Sequence, residues 1–196
     1  MGVISSVMYS DEEAIGAILE LHCDNNRIDL DPCYSVGNFY KKTNIKDPIY
    51  KFDIDPQLEC VSKADVRNLP LEDMSINSVV FDPPFMFGTH GQTKNNLMNK
   101  RFTMFDKFDQ LVDMYTGSLK EFYRVLNKKG IVAFKCQDYT DSKTTMTHCL
   151  VYNWATEIGF YAKDLFILLA KARIYNSKLN QRHARKFHSY WWVFQK

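Results

Sequence analysis

The sequence predicts an α/β fold: one Rossmann-like domain spanning residues 1–196, with a mostly parallel seven-stranded sheet and helices on both faces. Three observations predict it. Short apolar runs alternate with longer segments of helical period. Four successive runs each end on an acid, Asp31, Asp53, Asp65 and Asp82. The last two strands follow one another without a helix between them, so the final strand turns back antiparallel.

The elements follow in chain order. Ser10-Asp11-Glu12-Glu13 is a capping box, with a serine oxygen for one free amide and a glutamate for another. Ile15, Ile18 and Leu19 then mark an amphipathic helix to about His22. Strands are expected at Ile28 to Leu30, Ile49 to Phe52, Cys60 to Ala64 and Ser78 to Phe81. Phe108, Leu111, Val112, Tyr115, Leu119, Phe122 and Leu126 recur at helical spacing, and Asn127 to Gly130 stop that helix. Ile131 to Phe134 reads as a buried strand, Thr145 to Glu157 as a helix, and Lys163 to Leu169 as a strand. Residues 172–187 are polar and basic and read as a loop before the last strand, Ser189 to Phe194. Trp191 and Trp192 alternate there, so they face opposite sides of the sheet.

Composition sets the class. Apolar residues make up 45% and charged residues 24%, as in ordinary soluble domains. Five cysteines without C-x-x-C spacing fit free thiols in a reducing compartment, and a cytoplasmic location is expected. No apolar run has the length of a membrane span. The net charge of +2 names no partner, but its distribution is uneven. Pro83 to Phe105 carries Lys94, Lys100 and Arg101 and no acid. After Asp164 no acid appears, while Arg182, Arg185 and Lys186 do. Such segments are either solvated faces or surfaces for a polyanion.

The run Val79-Val80-Phe81-Asp82-Pro83-Pro84-Phe85 poses the chemical question, because a buried strand stops on a carboxylate and the next turn is fixed by prolines. In parallel sheets, ligands sit outside the carboxyl ends of the strands. Asp82-Pro83-Pro84-Phe85 resembles the catalytic D-P-P-[YFW] motif of class I S-adenosylmethionine-dependent methyltransferases, in their amino-methylating branch (DNA adenine-N6 and cytosine-N4 enzymes). Asp31-Pro32-Cys33-Tyr34-Ser35-Val36-Gly37 resembles that family's first motif, although Tyr34, Ser35 and Val36 stand where smaller residues are usual.

The resemblance implies S-adenosyl-L-methionine as cofactor, held by Asp31, Cys33, Gly37, Asp53, Asp65 and Val66. Asp53 would bind the ribose hydroxyls, with Asp55 the second candidate, and Asp65 would accept from the adenine amine. It implies a catalytic set of Asp82, Pro83, Pro84 and Phe85, and no metal. An exocyclic amine is a poor nucleophile because its lone pair is delocalised into the ring. Asp82 and the Pro83 carbonyl would accept its hydrogens and free that pair. Phe85 would stack on a base flipped from its helix.

The expected acceptor is adenine N6 in DNA, with Lys94, Lys100, Arg101, Arg182, Arg185 and Lys186 in two substrate loops at about residues 86–105 and 171–188. His90 is expected as a loop contact, and Gln137 and Asp138 either touch substrate or start a loop. The chain has no room for a recognition domain, so its loops, a second copy or a recognition subunit would read sequence. Three other readings stay open: an RNA base N-methyltransferase, a non-catalytic cofactor-binding or partner-activating subunit, and a protein glutamine methyltransferase.

Overall fold

The computed structural model describes residues 2–23, 26–41, 43–87, 105–140, 143–170, 182–184 and 186–196. Within them an eight-stranded sheet runs in the order β1-β9-β10-β6-β5-β2-β3-β4. The strands are β1 (Val7–Met8), β2 (Leu30–Asp31), β3 (Tyr50–Asp53), β4 (Ser62–Lys63), β5 (Ile76–Phe81), β6 (Leu126–Cys136), β9 (Tyr161–Leu169) and β10 (His188–Gln195). A separate small hairpin pairs β7 (Tyr139–Thr140) with β8 (Thr144–Thr145). Only β10 runs antiparallel in the large sheet, against both β6 and β9. The expected seven strands are present. The additional one is β1, whose two residues pair parallel with Ile167 and Leu168, and a run that short leaves no alternation to read.

The central strands are covered on both sides. Val80 and Ala133 face one way, with Ile15, Ile18, Phe166 and Trp191 in the same cluster. Val79, Phe81, Val132 and Phe134 face the other, with Leu111, Tyr115, Phe122 and Val151. This is the period-two alternation of a strand buried on both faces. Trp191 is fully buried on the first side, and Trp192 packs partly buried against the second, as their spacing requires.

Helix α1 (Asp11–His22) starts as its capping box predicts, since Ser10 Oγ accepts from the Glu13 amide at 3.1 Å. The Glu13 carboxylate reaches one residue further back, to the Tyr9 amide at 2.8 Å. Helix α2 (Phe108–Val125) buries Leu111, Tyr115, Leu119 and Phe122 along one stripe. It passes directly into β6 at Leu126, earlier than the Asn127-to-Gly130 stop that the sequence suggests. The Lys129 amide bonds the Lys196 carbonyl, so the polar stretch pairs with the chain terminus instead of forming a free loop. Helix α3 (Thr147–Ile158) ends on Gly159, whose φ of 119° suits only a residue without a side chain.

One buried charge ties α2 to the region after β4. Glu121 accepts from the Leu69 amide at 2.7 Å and from Arg124 at 2.6 Å. Removing one partner of such a set leaves a buried group unsatisfied. Glu121→Ala should therefore lower stability by about 2 kcal/mol, measured as a lower urea midpoint.

Candidate active site

The carboxyl ends of β2, β3, β4 and β5 open into a cleft of about 1350 Å³. Pro32, Cys33 and Ser35 line it after β2, and Asp53 and Asp55 after β3. Asp65, Val66 and Arg67 follow from β4, and Asp82 to Met86 from β5. The opposite wall is Phe105, Asp106, Asp109, Gln110 and Asp113, at and before the start of α2. The structure thus brings Asp53, Asp65 and Asp82, the acids that end three of these strands, to one cleft.

The turn after β2 is built on tyrosines. Asp31 is only 3% exposed and lies behind the turn, not along the cleft. Its Oδ1 accepts the Cys33 amide at 3.0 Å and its Oδ2 the Tyr40 hydroxyl at 2.9 Å. Burial pushes the Asp31 carboxyl up to about 7, against those two hydrogen bonds and with a smaller contribution from Asp82 and Asp53. Tyr34 stacks on Tyr40 at 5.5 Å and donates to Asp47. Gly37 has φ of 71°, and a Cβ there would overlap the Tyr34 ring. The glycine is needed for the tyrosine, not for bare backbone beside a ligand, and Gly37 does not line the cleft.

Asp53 joins this turn to β3. Its Oδ2 accepts the Ser35 amide and its Oδ1 the Asp55 amide, both at 2.9 Å. Each oxygen retains acceptor capacity, and the residue is half-buried on the cleft wall. Cys33 is a neutral thiol there, because burial and then Asp31, Asp53 and Asp82 push its pKa up. Asp65 is differently placed. Arg67 donates to both its oxygens, at 3.0 Å and 2.7 Å, and also reaches Asp113. Hydrogen bonding from that guanidinium holds the Asp65 carboxyl below its ordinary range.

The turn after β5 sets a carboxyl group beside the core. Phe81 is fully buried, with Phe134 at 4.9 Å and Phe122 at 5.0 Å. The next residue, Asp82, stands at the core's edge with its side chain 27% exposed. Its Oδ2 lies 3.2 Å from Lys135 Nζ on the adjacent β6. Burial raises the Asp82 carboxyl, and Lys135 opposes the rise. Tyr115 donates to the Pro84 carbonyl at 2.9 Å, which anchors the proline turn to α2. The Pro83 carbonyl takes no hydrogen bond from another described residue. Phe85, Met86 and Phe105 complete an apolar wall beside it. A carboxylate, an unpaired carbonyl and an aromatic ring therefore share one side of the cleft.

The basic loops are only partly visible. Lys94, Lys100, Arg101 and Arg185 lie outside the described residues, as does His90. Arg182 is exposed and Lys186 half-buried, and neither lines the cleft. Gln137 and Asp138 serve the fold: Gln137 donates to the His188 carbonyl, and Asp138 bonds the His148 ring at 2.7 Å. Sequence reasoning missed Lys135, Arg67 and Tyr115 as site residues. Lys135 carried a usable signal, a lysine inside an apolar strand run, because a charge there must be paired.

The chain matches no protein-family model and no curated protein. Among solved structures, it superposes on a chain of the Haloferax volcanii complex between the Trm112 methyltransferase activator and a candidate methyltransferase. That match has a TM-score of 0.52 at 13% identity, over 92% of this chain and 88% of the other. A candidate DNA modification methylase from Thermus thermophilus, solved with S-adenosyl-L-methionine, gives 0.49 at 15% identity, over 68% of this chain and 53% of that one. An S-adenosylmethionine-dependent methyltransferase from Archaeoglobus fulgidus gives 0.49 at 12%, over 95% of each chain. This chain spans about half the length of the Thermus protein. The fold is a mostly parallel, Rossmann-like α/β fold, as expected, and it is shared with the Haloferax volcanii chain.

Two measurements check this geometry. Gly37→Ala combines a left-handed backbone with a displaced Tyr34 ring, and should cost about 1–3 kcal/mol in urea unfolding. The second concerns pH. Because the folded-state pKa of Asp31 lies near 7, its contribution is full below the unfolded value of about 4 and falls as pH rises through 7. Asp31→Asn has no such titration. From pH 5 to pH 8 the wild type should lose on the order of 2 kcal/mol relative to Asp31→Asn.

Proposed function

We propose that the chain transfers a methyl group from S-adenosyl-L-methionine to an exocyclic amino nitrogen of a nucleic-acid base, with adenine N6 in DNA as the first choice. The observation that carries the reading is Asp82-Pro83-Pro84-Phe85 at the carboxyl end of a central strand, facing the cleft formed by the other strand ends.

The donor set of the cleft fits the cofactor. Asp53 offers a half-exposed carboxylate to a pair of ribose hydroxyls. The turn through Cys33 and Ser35 would receive the amino-acid end, with Asp31 and Gly37 shaping that turn from behind. Asp65 is engaged by Arg67, so the adenine edge would displace that guanidinium or rest on the backbone at Val66. When bound, the cofactor supplies an electrophilic methyl group on a sulfonium.

The chain's own residues prepare the nucleophile. Asp82 accepts one hydrogen of the amine, and the Pro83 carbonyl accepts the other. Both draw the nitrogen toward tetrahedral geometry and localise its lone pair. Asp82 is also the nearest base for the proton that leaves after transfer. Phe85 receives the face of the ring, a contact worth about 1–3 kcal/mol. Asp82 and the Pro83 carbonyl suit a neutral aromatic amine or amide, whose lone pair they can localise, and not a protonated alkylamine, which has none.

Lys94, Lys100, Arg101, Arg182, Arg185 and Lys186 would bind phosphates around the cleft. One observation favours a second reading. The described lining holds seven aspartates, Asp53, Asp55, Asp65, Asp82, Asp106, Asp109 and Asp113, against the single guanidinium of Arg67. Asp106 and Asp109 are exposed, and an acidic lip repels a polyanion. It suits a side-chain amide within a basic peptide, which presents the same delocalised nitrogen.

Asp53→Ala should weaken cofactor binding at least about tenfold in calorimetric titration. Asp82→Ala should abolish transfer with cofactor affinity nearly unchanged, and an unaltered turnover would remove Asp82 from the mechanism. Salt dependence separates the substrate classes. Replacing Arg182, Arg185 and Lys186 by Ala should make the log–log slope of duplex binding shallower by about 2 to 3. An unchanged slope would leave the peptide reading in front.

A further inference from the structure

Lys135 Nζ is the centre of a buried contact set that spans three elements. It lies 3.2 Å from Asp82 Oδ2, just past the end of β5, and 2.9 Å from Asp11 Oδ1 in the first turn of α1. Its side chain is 13% exposed. The rings of Phe39 and Trp191 flank the ammonium at 5.4 Å each. The Trp191 indole N–H donates to the same Asp11 oxygen at 3.1 Å. One cation is therefore held by two carboxylates and two aromatic faces, far more than a surface lysine receives.

Such an arrangement is costly to assemble, since Lys135 is largely withdrawn from water and the two carboxylates partly so. A hydrophobic residue would fill the strand position more simply. What the lysine adds is specific to Asp82. It occupies Oδ2, which leaves Oδ1 as the oxygen available to an incoming N–H. It also fixes the carboxylate plane against rotation.

We propose that Lys135 is the positioning residue of the site: bridged to Asp11, it orients Asp82 and keeps it ionised so that Oδ1 can accept the substrate amine. The assignment to an amine rests on the reading given under Proposed function; the control of Asp82 ionisation does not. A protonated Asp82 would present a donor where an acceptor is needed. Burial favours that protonated form, and Asp11 favours it further, while Lys135 opposes both. Lys135 itself resists deprotonation, because the two carboxylates outweigh its own burial. Among the described residues, the other titratable groups facing this point are Asp31, Cys33 and Tyr115, and none of these carries a positive charge to replace it. Asp11 thereby becomes a distant contributor: its place at the start of α1, set by the Ser10 cap, holds the ammonium from behind.

The test compares wild type with Lys135→Met, Lys135→Arg and Asp11→Asn. The first readout needs no substrate: the carboxyl carbon-13 resonance of Asp82, assigned by its loss in Asp82→Asn, followed across pH. In Lys135→Met its titration midpoint should rise by at least about one pH unit, the loss of an opposite charge at contact distance, and in Lys135→Arg it should stay near wild type. The second readout is single-turnover methyl transfer. Lys135→Met should be slower than wild type, and the deficit should shrink as pH rises through its own Asp82 midpoint, with cofactor affinity unchanged. If Lys135→Met does not fold, Asp11→Asn serves in its place: it should lower the Asp82 midpoint, because a carboxylate is removed. An Asp82 midpoint unmoved in Lys135→Met, or in Asp11→Asn where that variant stands in, would overturn the proposal. A moved midpoint with no transfer to any acceptor would leave the ionisation control standing and remove the methyltransferase reading instead.

Discussion

Two adjacent residues at the end of β5, the last of the strand and the first beyond it, meet opposite demands, and the site depends on how the fold reconciles them. Phe81 fills the core between α2 and the sheet, and Asp82 must keep a charge within one residue of it. The ammonium of Lys135 makes this possible, since β6 pairs in register beside β5 and delivers a cation to the edge where the strand ends. Everything around that contact is arranged to hold it. The indole of Trp191, on the other neighbour of β6, fixes Asp11, and Asp11 fixes Lys135. The N-terminal helix thus reaches the chemical edge of the sheet through a single side chain.

The remaining cleft follows from the parallel sheet. Its strand ends converge, and each brings an aspartate whose role depends on its surroundings. Asp31 is buried and serves the turn, Asp53 bridges two turns while facing the cleft, and Asp65 is matched by Arg67. With Asp82 held by Lys135, the same residue type at four equivalent positions has four different electrostatic states. Asp53 lies half-buried along the cleft, while Asp31 is enclosed behind it.

Much of this was legible in the chain. Period-two alternation at Val79-Val80-Phe81 and helical spacing from Phe108 to Val125 fixed the core elements, because burial on a face is written in residue order. The ends of β2, β3 and β5 were legible because aspartate and proline stop a strand. Other features were not. Strand β1 is two residues long and exists through its pairing with β9. The early passage from α2 into β6 depends on the Lys129–Lys196 pairing, which joins positions distant in sequence. Tyr34 reads as a departure from a turn of smaller residues, and only its stacking on Tyr40 shows that it supports that turn. The contact of Lys135 with both Asp82 and Asp11 joins three segments that no local pattern connects.

The central claim is that Asp82 serves a delocalised nitrogen, and identifying the labelled atom tests it most directly. The protein would be incubated with methyl-labelled S-adenosyl-L-methionine and separate pools of DNA, RNA and protein, and the labelled pool digested to nucleosides or amino acids. The account predicts label in the DNA pool, recovered as N6-methyladenine and absent with Asp82→Ala. Label on the amide of a protein side chain would retain the role of Asp82 and replace the substrate. Label on a carbon, an oxygen or an alkylamine, or label that persists without Asp82, would contradict the account.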